Sequence, residues 1–337
     1  MIGRNLCRSV VLLAMVILLA AGNLVQAAAN DIMLQWQSSA HSKVDTSQDS
    51  PATRDSCVSC HTGQGYSQGL SKAAEVGTPQ SIGCTTCHDT VPKLRYNGMV
   101  KLPNGLQVDG GTGTTCIKCH NSRRDPNDPA TMKGMKLAHS SAQADMLFGT
   151  GGYEVPGVTY GSSPHGAAKN TCVSCHMAAT PKAGQPGAGV VGGHTFRVAA
   201  NGVENLAACT GCHGELGSFN RRSLGDYDGN GKIEGIQDEV DGLLKTLKAA
   251  LEDAVFKATG FHTELEEAHS TTEFVKEDKS LVAADLIPDN VRKAAYNYFF
   301  VLNDGSKGVH NPVYAIQLLQ SSYQLVTGQP VPRARLR

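Results

Sequence analysis

Apolar residues recur at intervals of three and four positions between residues 240 and 255, a spacing that places side chains on one face of an α-helix. The positions concerned are Val240, Leu243, Leu244, Leu247, Leu251 and Val255. Asp238 and Glu239 suit the positive end of a helix dipole, and Gly260 suits the residue that ends a helix. The pattern predicts one long amphipathic helix.

Two more helices are predicted near the carboxyl terminus. One follows Pro288-Asp289 and continues to about Leu302. The other has Asn311 as its N-cap and Pro312 as its first residue, and it continues to about Val326. We therefore expect residues 221–337 to form a helical carboxy-terminal segment.

The rest of the chain lacks this long-range helical periodicity. Residues 30–220 are read as loops and short helical turns joined by connectors rich in Gly, Pro and Thr, such as 110–113 and 181–193. Few strands are expected. The predicted fold class is mainly α with extensive loops.

The amino terminus has the three parts of a secretory signal peptide. Arg4 and Arg8 precede an apolar run over residues 10–21, and small residues follow around Ala27. The run is short for a membrane-spanning helix. We expect residues 1–29 to be removed on export, which leaves a periplasmic or extracellular protein.

The composition is poor in the residues that normally fill a core. Aromatic residues make up 5% of the chain, and there are 37 glycines. The formal net charge is zero and no basic block is present, so there is no electrostatic case for nucleic-acid binding. Something other than side chains is expected to fill the interior.

The cysteine pattern indicates what fills the interior. Apart from Cys7, every cysteine falls in a C-x-x-C-H unit. The units are Cys57–His61, Cys84–His88, Cys116–His120, Cys172–His176 and Cys209–His213, with second cysteines Cys60, Cys87, Cys119, Cys175 and Cys212. This is the attachment sequence of c-type haem, in which two thiols bind the porphyrin and the histidine ligates iron. Disulfides or zinc sites would not require a histidine after every second cysteine.

Five irons therefore have His61, His88, His120, His176 and His213 as proximal ligands. A second protein ligand makes a haem an electron carrier, whereas an open position allows substrate chemistry. The predicted distal ligands are His41, His139, His165, His194 and His310. His262 and His269 lie in a charged, predicted helical stretch and are interpreted as surface residues. Met177 directly follows the fourth C-x-x-C-H unit and is not counted as a distal ligand, because it is too close to the proximal side of its own haem to reach the opposite side of the iron.

A calcium loop is also predicted. Residues 226–234 carry oxygen ligands at alternate positions and a glycine at the sixth. The candidate ligands are Asp226, Asp228, Asn230, Lys232 and Glu234. Position twelve is Gln237, where a Glu is expected, so a polar turn without calcium is the alternative.

The five units, the Ser-Pro-His165-Gly and Gly-Gly-His194 sequences and Gly-Val-His310-Asn-Pro resemble multihaem c-type cytochromes of dissimilatory metal-reducing bacteria. That group is related to the pentahaem nitrite reductase and hydroxylamine oxidoreductase superfamily. The resemblance implies a fold organised around an array of bis-histidine haems that passes electrons to redox partner proteins or extracellular acceptors, in anaerobic respiration. It also implies that His41 is a candidate ligand to a neighbouring subunit in a homo-oligomer or filament.

The chain departs from the nitrite reductases at one point. Their catalytic haem typically has a lysine from a C-x-x-C-K unit, and all five units here end in histidine. An electron carrier is therefore favoured, with a pentahaem reductase of nitrite or hydroxylamine as the alternative if one haem stays five-coordinate. Arg123, Arg124 and Tyr160 are given no catalytic role.

Overall fold

The computed structural model describes residues 31–90, 93–268 and 270–337. The predicted signal peptide and His269 lie outside these residues. Within them, no helix has both the length and the apolar character needed to cross a bilayer.

Helices dominate the fold, as the sequence predicts. After helical residues 31–38, the α-helices are α1 (Val58–His61), α2 (Gly63–Gln68), α3 (Ala73–Val76), α4 (Cys84–Cys87), α5 (Thr114–Ile117), α6 (Pro129–Lys133), α7 (Gln143–Phe148), α8 (Cys172–His176), α9 (Thr210–His213), α10 (Ile236–Thr259), α11 (Asp289–Asp304) and α12 (Pro312–Thr327). Short 3-10 turns occupy Ala40–Ser42, Pro51–Thr53, Gly111–Gly113, Pro164–Ala167, Gly193–Thr195, Leu206–Ala208 and Ala284–Leu286.

The strands of the described chain form four two-stranded sheets. They pair in chain order as β1 (His88–Thr90) with β2 (Lys93–Leu94), β3 (Met99–Lys101) with β4 (Gln107–Asp109), β5 (Ala199–Ala200) with β6 (Val203–Glu204), and β7 (Thr263–Ala268) with β8 (Thr271–Lys276). All are short, so the expectation of a mainly helical fold with extensive loops is confirmed.

The three long carboxy-terminal helices are confirmed with their caps. Helix α10 ends at Gly260, whose φ of 78° is readily available only to glycine. Helix α12 begins after Asn311, whose side chain accepts a hydrogen bond from Tyr314 N at 3.2 Å. The apolar face of α10 is buried against α11 and α12, and Leu247 is 1% exposed. Burial of one such side chain contributes about 2 kcal/mol.

One predicted helix is wrong. Residues 263–267 were expected to be helical, but they form β7, which pairs antiparallel with β8. Leu265 lies opposite Phe274, and the two side chains are 5% and 1% exposed. Polar neighbours on either side of Leu265 point outward, so the alternation of a strand explains the burial. The glutamates favour a helix locally, and the pairing with β8 overrides that preference.

The structure forms two compact units. The first consists of the described part of Met1–Lys93 together with Val173–Gly211, and the second of Leu94–Cys172 and Cys212–Arg337. One boundary between the compact units, at residues 93 and 94, falls inside β2, and the other two fall inside the fourth and fifth C-x-x-C-H units. This grouping differs from the predicted division at residue 220, because residues 94–172 belong with the carboxy-terminal helices.

The two units bury very different amounts of apolar surface. Among the described residues, the buried apolar side chains of the first unit are Ala52, Val58, Tyr66, Val76 and Val191. The second unit contains a large cluster built from α10, α11 and α12, with Leu137 and Met146 packed into it. Five buried apolar side chains are too few to stabilise a unit of this length. The first unit therefore needs additional apolar material.

Candidate haem-iron centres

Each C-x-x-C-H unit contains a helical turn, which places its two cysteines about one turn apart. In the first unit, His61 N donates to the Cys57 carbonyl at 3.1 Å, and in the third, His120 N donates to the Cys116 carbonyl at 2.9 Å. Residues three positions apart share a helix face, so the two thiols of a unit point to the same side. The turns are α1, α4, α5, α8 and α9.

None of the ten cysteines in these units forms a disulfide in the described chain. The Cys116 thiol hydrogen-bonds with Cys172 and thereby lowers the pKa of Cys172 to about 7. Cysteines of the third and fourth units are therefore direct neighbours in the second compact unit.

Two pairs of histidine rings have the centroid separation that two ligands of one iron require. The ring centroids of His88 and His194 are 6.4 Å apart, with an angle of 31° between the ring planes. Those of His165 and His213 are 6.0 Å apart, with an angle of 79°. A metal bound at about 2 Å from one nitrogen of each ring holds the centroids about 6 Å apart. In both pairs a proximal histidine meets a predicted distal histidine.

A third pair is indicated by charge and by a shared hydrogen-bond network. His310 lies close enough to His120 to lower its pKa, although burial is the larger cause. Gln143 joins their surroundings, since its Oε1 lies 3.2 Å from His120 Nδ1 and its Nε2 donates to the Asn303 carbonyl at 3.2 Å. The neighbouring Asp304 contacts His310 Nδ1 at 2.6 Å. Burial opposes protonation of His310, but the charge and hydrogen bond of Asp304 raise its pKa.

The remaining predicted ligands lie near the same segments. His41 contacts the ring of Phe196 edge-on at 4.8 Å, and His176 Nδ1 lies 3.0 Å from the Phe196 carbonyl. His139 N donates to the Ser122 carbonyl at 2.9 Å. These contacts place His41 and His176 together in the first compact unit, and they place His139 beside the third C-x-x-C-H unit. They do not assign His41 or His139 to a particular proximal histidine.

The ring nitrogens are oriented as metal ligands require. In several rings Nδ1 is bonded to a protein acceptor, which leaves Nε2 for a metal. The contacts are His165 to the Val309 carbonyl at 2.9 Å, His176 to the Phe196 carbonyl at 3.0 Å and His139 to Ser141 Oγ at 2.8 Å. Burial, reinforced by His88, lowers the pKa of His194, and the neutral ring is the form that binds a metal.

His213 is the exception in this set. Its ring is exposed, and Arg221 Nη1 lies 3.1 Å from its Nδ1. Burial lowers the pKa of His213, and the charges of Arg221 and His165 lower it further. When Nε2 ligates a metal, Nδ1 carries a proton that would face the guanidinium, so Arg221 has to turn away in the loaded protein.

The glycines before His194 are required by close packing. Gly192 and Gly193 have φ values of 76° and 53°. A Cβ on Gly192 would lie 2.4 Å from the Ala178 carbonyl, and one on Gly193 would lie 2.3 Å from Gln35 Oε1. Gln35 Oε1 also accepts from His194 N at 2.9 Å. Both glycines are thus packed closely against protein atoms.

Two other residues singled out in the sequence are structural. Arg124 Nη1 donates to the carbonyls of Leu137 and Ser270. The Tyr160 hydroxyl lies 2.7 Å from Ser321 Oγ and accepts a hydrogen bond from the Val155 amide at 3.0 Å. These contacts fix the positions of both side chains.

The predicted calcium loop is closed by its own side chains. Asp226 accepts from the amides of Gly229 at 2.7 Å and Gly231 at 2.8 Å. Asn230 Nδ2 donates to Asp228 Oδ2 at 3.0 Å and to Glu234 Oε2 at 2.7 Å. The loop therefore has the turn geometry that the alternate oxygen ligands predict.

Sequence reasoning missed the residue that completes this cluster. Glu239, in the first turn of α10, is fully buried, and a carboxylate oxygen from each of Asp226, Asp228 and Glu239 lies within 4.8 Å of the other two. Glu239 accepts from Tyr227 N at 2.7 Å and from Glu234 N at 2.9 Å. Burial raises the pKa of Asp228, and the nearby Glu239 charge raises it further. Glu239 thus supplies the carboxylate that a calcium loop normally has at position twelve, two residues after Gln237.

Two comparisons with known proteins give matches. The outer cell wall cytochrome OcwA matches with a TM-score of 0.51 and 21% identity over 87% of this chain and 50% of that one. This chain thus spans about half the length of OcwA, and at this identity the likeness shows the fold alone. No curated protein matches. The sequence profile of cytochrome c552 matches residues 130–330, which include the fourth and fifth C-x-x-C-H units and the predicted distal ligands His139, His165, His194 and His310. The resemblance to multihaem c-type cytochromes is therefore confirmed, and the chain belongs to the cytochrome c552 family.

Proposed function

We propose that this multihaem c-type cytochrome carries electrons through five covalently bound haems, each held by two cysteines and by a histidine on either side of the iron. The single observation that carries the proposal is the separation of histidine ring centroids, 6.4 Å for His88 with His194 and 6.0 Å for His165 with His213. With haems attached, two imidazoles at this separation would be able to hold one iron from both sides. An iron with both positions filled changes oxidation state without binding a substrate.

The haems supply the one-electron couple, and the chain supplies ligands, burial and hydrogen bonds that set its potential. Histidine on both sides, without a thioether ligand, favours low potentials. The contact between the Cys116 and Cys172 thiols supports a short distance between the third and fourth attachment sites. It supports transfer of electrons from one haem to the next inside the protein.

The test is electron paramagnetic resonance of the oxidised holoprotein, after mass spectrometry has shown five haems on the mature chain. All five irons should be low-spin. A high-spin iron in the untreated protein would instead support the reductase of nitrite or hydroxylamine, because it leaves a position open for substrate. A chain with fewer than five haems would contradict the proposal directly.

The ring angles sharpen this test. Near-parallel imidazole planes give a rhombic low-spin signal, and near-perpendicular planes give a strongly anisotropic one. The 31° pair and the 79° pair should therefore differ in the spectrum. His194→Ala should replace a rhombic signal by a high-spin one, and His165→Ala should do the same to an anisotropic signal. His262→Ala is the control, since His262 is exposed and its ring stacks on Phe256 at 4.2 Å.

We also propose that the protein works outside the inner membrane, with redox proteins or extracellular acceptors as partners. The basis is the signal peptide read from the sequence, together with c-type attachment units. Cell fractionation of the full-length chain tests the location, and retention in the cytoplasm would contradict it. Native mass measurement of the holoprotein with and without His41→Ala tests whether His41 supports a homo-oligomer or filament.

We also propose that the loop of residues 226–234 binds one calcium ion. It is supported by the three adjacent carboxylates of Asp226, Asp228 and Glu239, since hard cations prefer oxygen ligands. Calorimetric titration of EDTA-treated holoprotein with CaCl₂ should give one site, and Asp226→Asn should weaken it at least tenfold. The control Glu266→Gln changes an exposed strand residue. The absence of both binding heat and a calcium-dependent shift in Tm would refute the site.

A further inference from the structure

A buried carboxylate is bonded to one predicted iron ligand. Asp304 Oδ1 lies 2.6 Å from His310 Nδ1, and the Asp304 side chain is 1% exposed. A carboxylate that accepts from the outer nitrogen of a ligating histidine fixes the ring orientation and makes the ring a stronger electron donor to the metal. The arrangement is therefore able to alter the potential of the iron that His310 ligates.

The position of Asp304 is unfavourable for stability alone. It is the last residue of α11, where the helix dipole is negative and a second negative charge is repelled. Burial of a carboxylate adds to this cost. The loop compensates, because Ser306 donates to Asp304 Oδ2 from both its hydroxyl and its amide, while His310 N donates to Ser306 Oγ at 3.1 Å. The loop from Asp304 to His310 is thus built around this carboxylate.

Three other ligand histidines have a neutral partner at Nδ1. His165 and His176 are bonded to main-chain carbonyls, at 2.9 Å and 3.0 Å. His120, the proposed opposite ligand, faces the amide oxygen of Gln143 at 3.2 Å. Hydrogen bonds that involve a charged group are roughly twice as strong as neutral ones. The electron donation that Asp304 imposes on His310 should therefore exceed that at these other rings.

We propose that Asp304 is a positioning residue that lowers the reduction potential of the haem ligated by His310 below those of the haems with neutral partners. The inference rests on the proposed function, because it requires His310 to be an axial ligand. A carboxylate partner stabilises the more positive ferric iron over the ferrous iron, so the oxidised state is favoured.

The surroundings of His310 indicate the direction of electron transfer that the lower potential would favour. The third attachment unit adjoins the fourth, because Thr171 Oγ1, next to Cys172, donates to the Gly110 carbonyl at 2.8 Å and the Cys116 thiol hydrogen-bonds with Cys172. With haems attached, one electron that leaves the iron held by His310 would oxidise that iron and reduce a neighbouring haem iron of higher potential. No bond is made or broken in this step. Asp304 makes this transfer downhill and opposes its reversal.

Spectroelectrochemical titration of the holoprotein with Asp304→Asn tests the proposal. Asparagine keeps an acceptor for Nδ1 but removes the charge, so one of the five midpoint potentials should rise while the spectrum stays fully low-spin. At fixed applied potential, the reduced-to-oxidised ratio of that haem should increase about tenfold, which corresponds to about 59 mV for one electron. Asp304→Glu should restore most of the original value, and Asp285→Asn, at an exposed position, should leave all five potentials unchanged.

The result that overturns the proposal is an unchanged set of potentials in a low-spin Asp304→Asn protein. If that variant does not accumulate, Ser306→Ala provides the second test, since it keeps the charge but loosens the carboxylate. Its expected effect is a smaller rise of the same single potential, and no rise overturns the proposal. His310→Ala separates this failure from that of the proposed function, because a spectrum without a new high-spin iron would remove His310 from the ligand set altogether.

Discussion

Asp145 should make the stability of the protein fall as pH rises through the mildly acidic range. The residue lies in α7, is 0% exposed, and accepts from Ser122 N at 2.7 Å and from Ser122 Oγ at 2.8 Å. Burial raises its pKa to about 6, although both hydrogen bonds from Ser122 act in the opposite direction. Since Ser122 follows His120 by two residues, this contact ties the third attachment unit to α7.

The magnitude follows from proton linkage. An unfolded Asp has a pKa of about 3.9, so between about pH 4 and pH 6 the folded state holds a proton that the unfolded state has lost. The free energy of unfolding therefore falls through this window as pH rises. Above pH 6 the carboxyl is ionised and the destabilisation reaches its full value. A shift of about two pKa units corresponds to on the order of 3 kcal/mol. Asp145→Asn is neutral at every pH and removes this dependence.

The assay is guanidinium unfolding of the holoprotein at several pH values between 4 and 7, followed by far-ultraviolet circular dichroism. The difference in unfolding free energy, variant minus wild type, should rise by on the order of 3 kcal/mol across this range. Any constant packing cost of the amide cancels in that change. Asp285→Asn, at an exposed position, serves as the control. A difference that stays flat or falls with pH would refute the reasoning, because it would mean that the Ser122 hydrogen bonds outweigh burial.

Two glycines give further predictions. Gly113→Ala should destabilise the protein by about 1–3 kcal/mol in denaturant unfolding, because its Cβ would lie 2.0 Å from Thr171 Oγ1, whereas Gly217→Ala meets nothing within 4 Å and should be neutral. Gly242→Ala would favour α10 by about 1 kcal/mol on helix propensity alone. Its Cβ would lie 1.8 Å from Asp228 Oδ2, so calorimetry should show at least tenfold weaker calcium binding. Unchanged affinity would mean that Asp228 is not a ligand.

The carboxy-terminal helices could be predicted because their information is local. The apolar spacing of α10 and the caps at Gly260 and Asn311 each lie within a few residues of the feature they determine. The β7–β8 hairpin could not be predicted in this way. Leu265 and its glutamate neighbours suit a helix as well as a strand, and only the partner Phe274 decides between them.

The attachment units could be read from the sequence because haem attachment requires a fixed local spacing, and haem binding at each of them stays a prediction. The pairing of rings could not, since His88 and His194 come from distant parts of the chain. The hydrogen-bond partners of the ligands were also missed. Asp304 did carry a signal in the sequence, because an acidic residue at a predicted helix end opposes the helix dipole and calls for another explanation. The assignment of each histidine to an iron stays a prediction.

The first compact unit shows why local patterns were uninformative there. Its five buried apolar side chains leave most of its chain without a side-chain core, while it carries the whole of the first two attachment units. A chain that buries so little apolar surface does not offset its conformational entropy. Porphyrin faces, bound covalently and ligated by histidines, would supply the missing surface. Order in this unit is therefore expected to follow haem attachment, whereas α10, α11 and α12 bury enough of their own side chains to fold by hydrophobic packing.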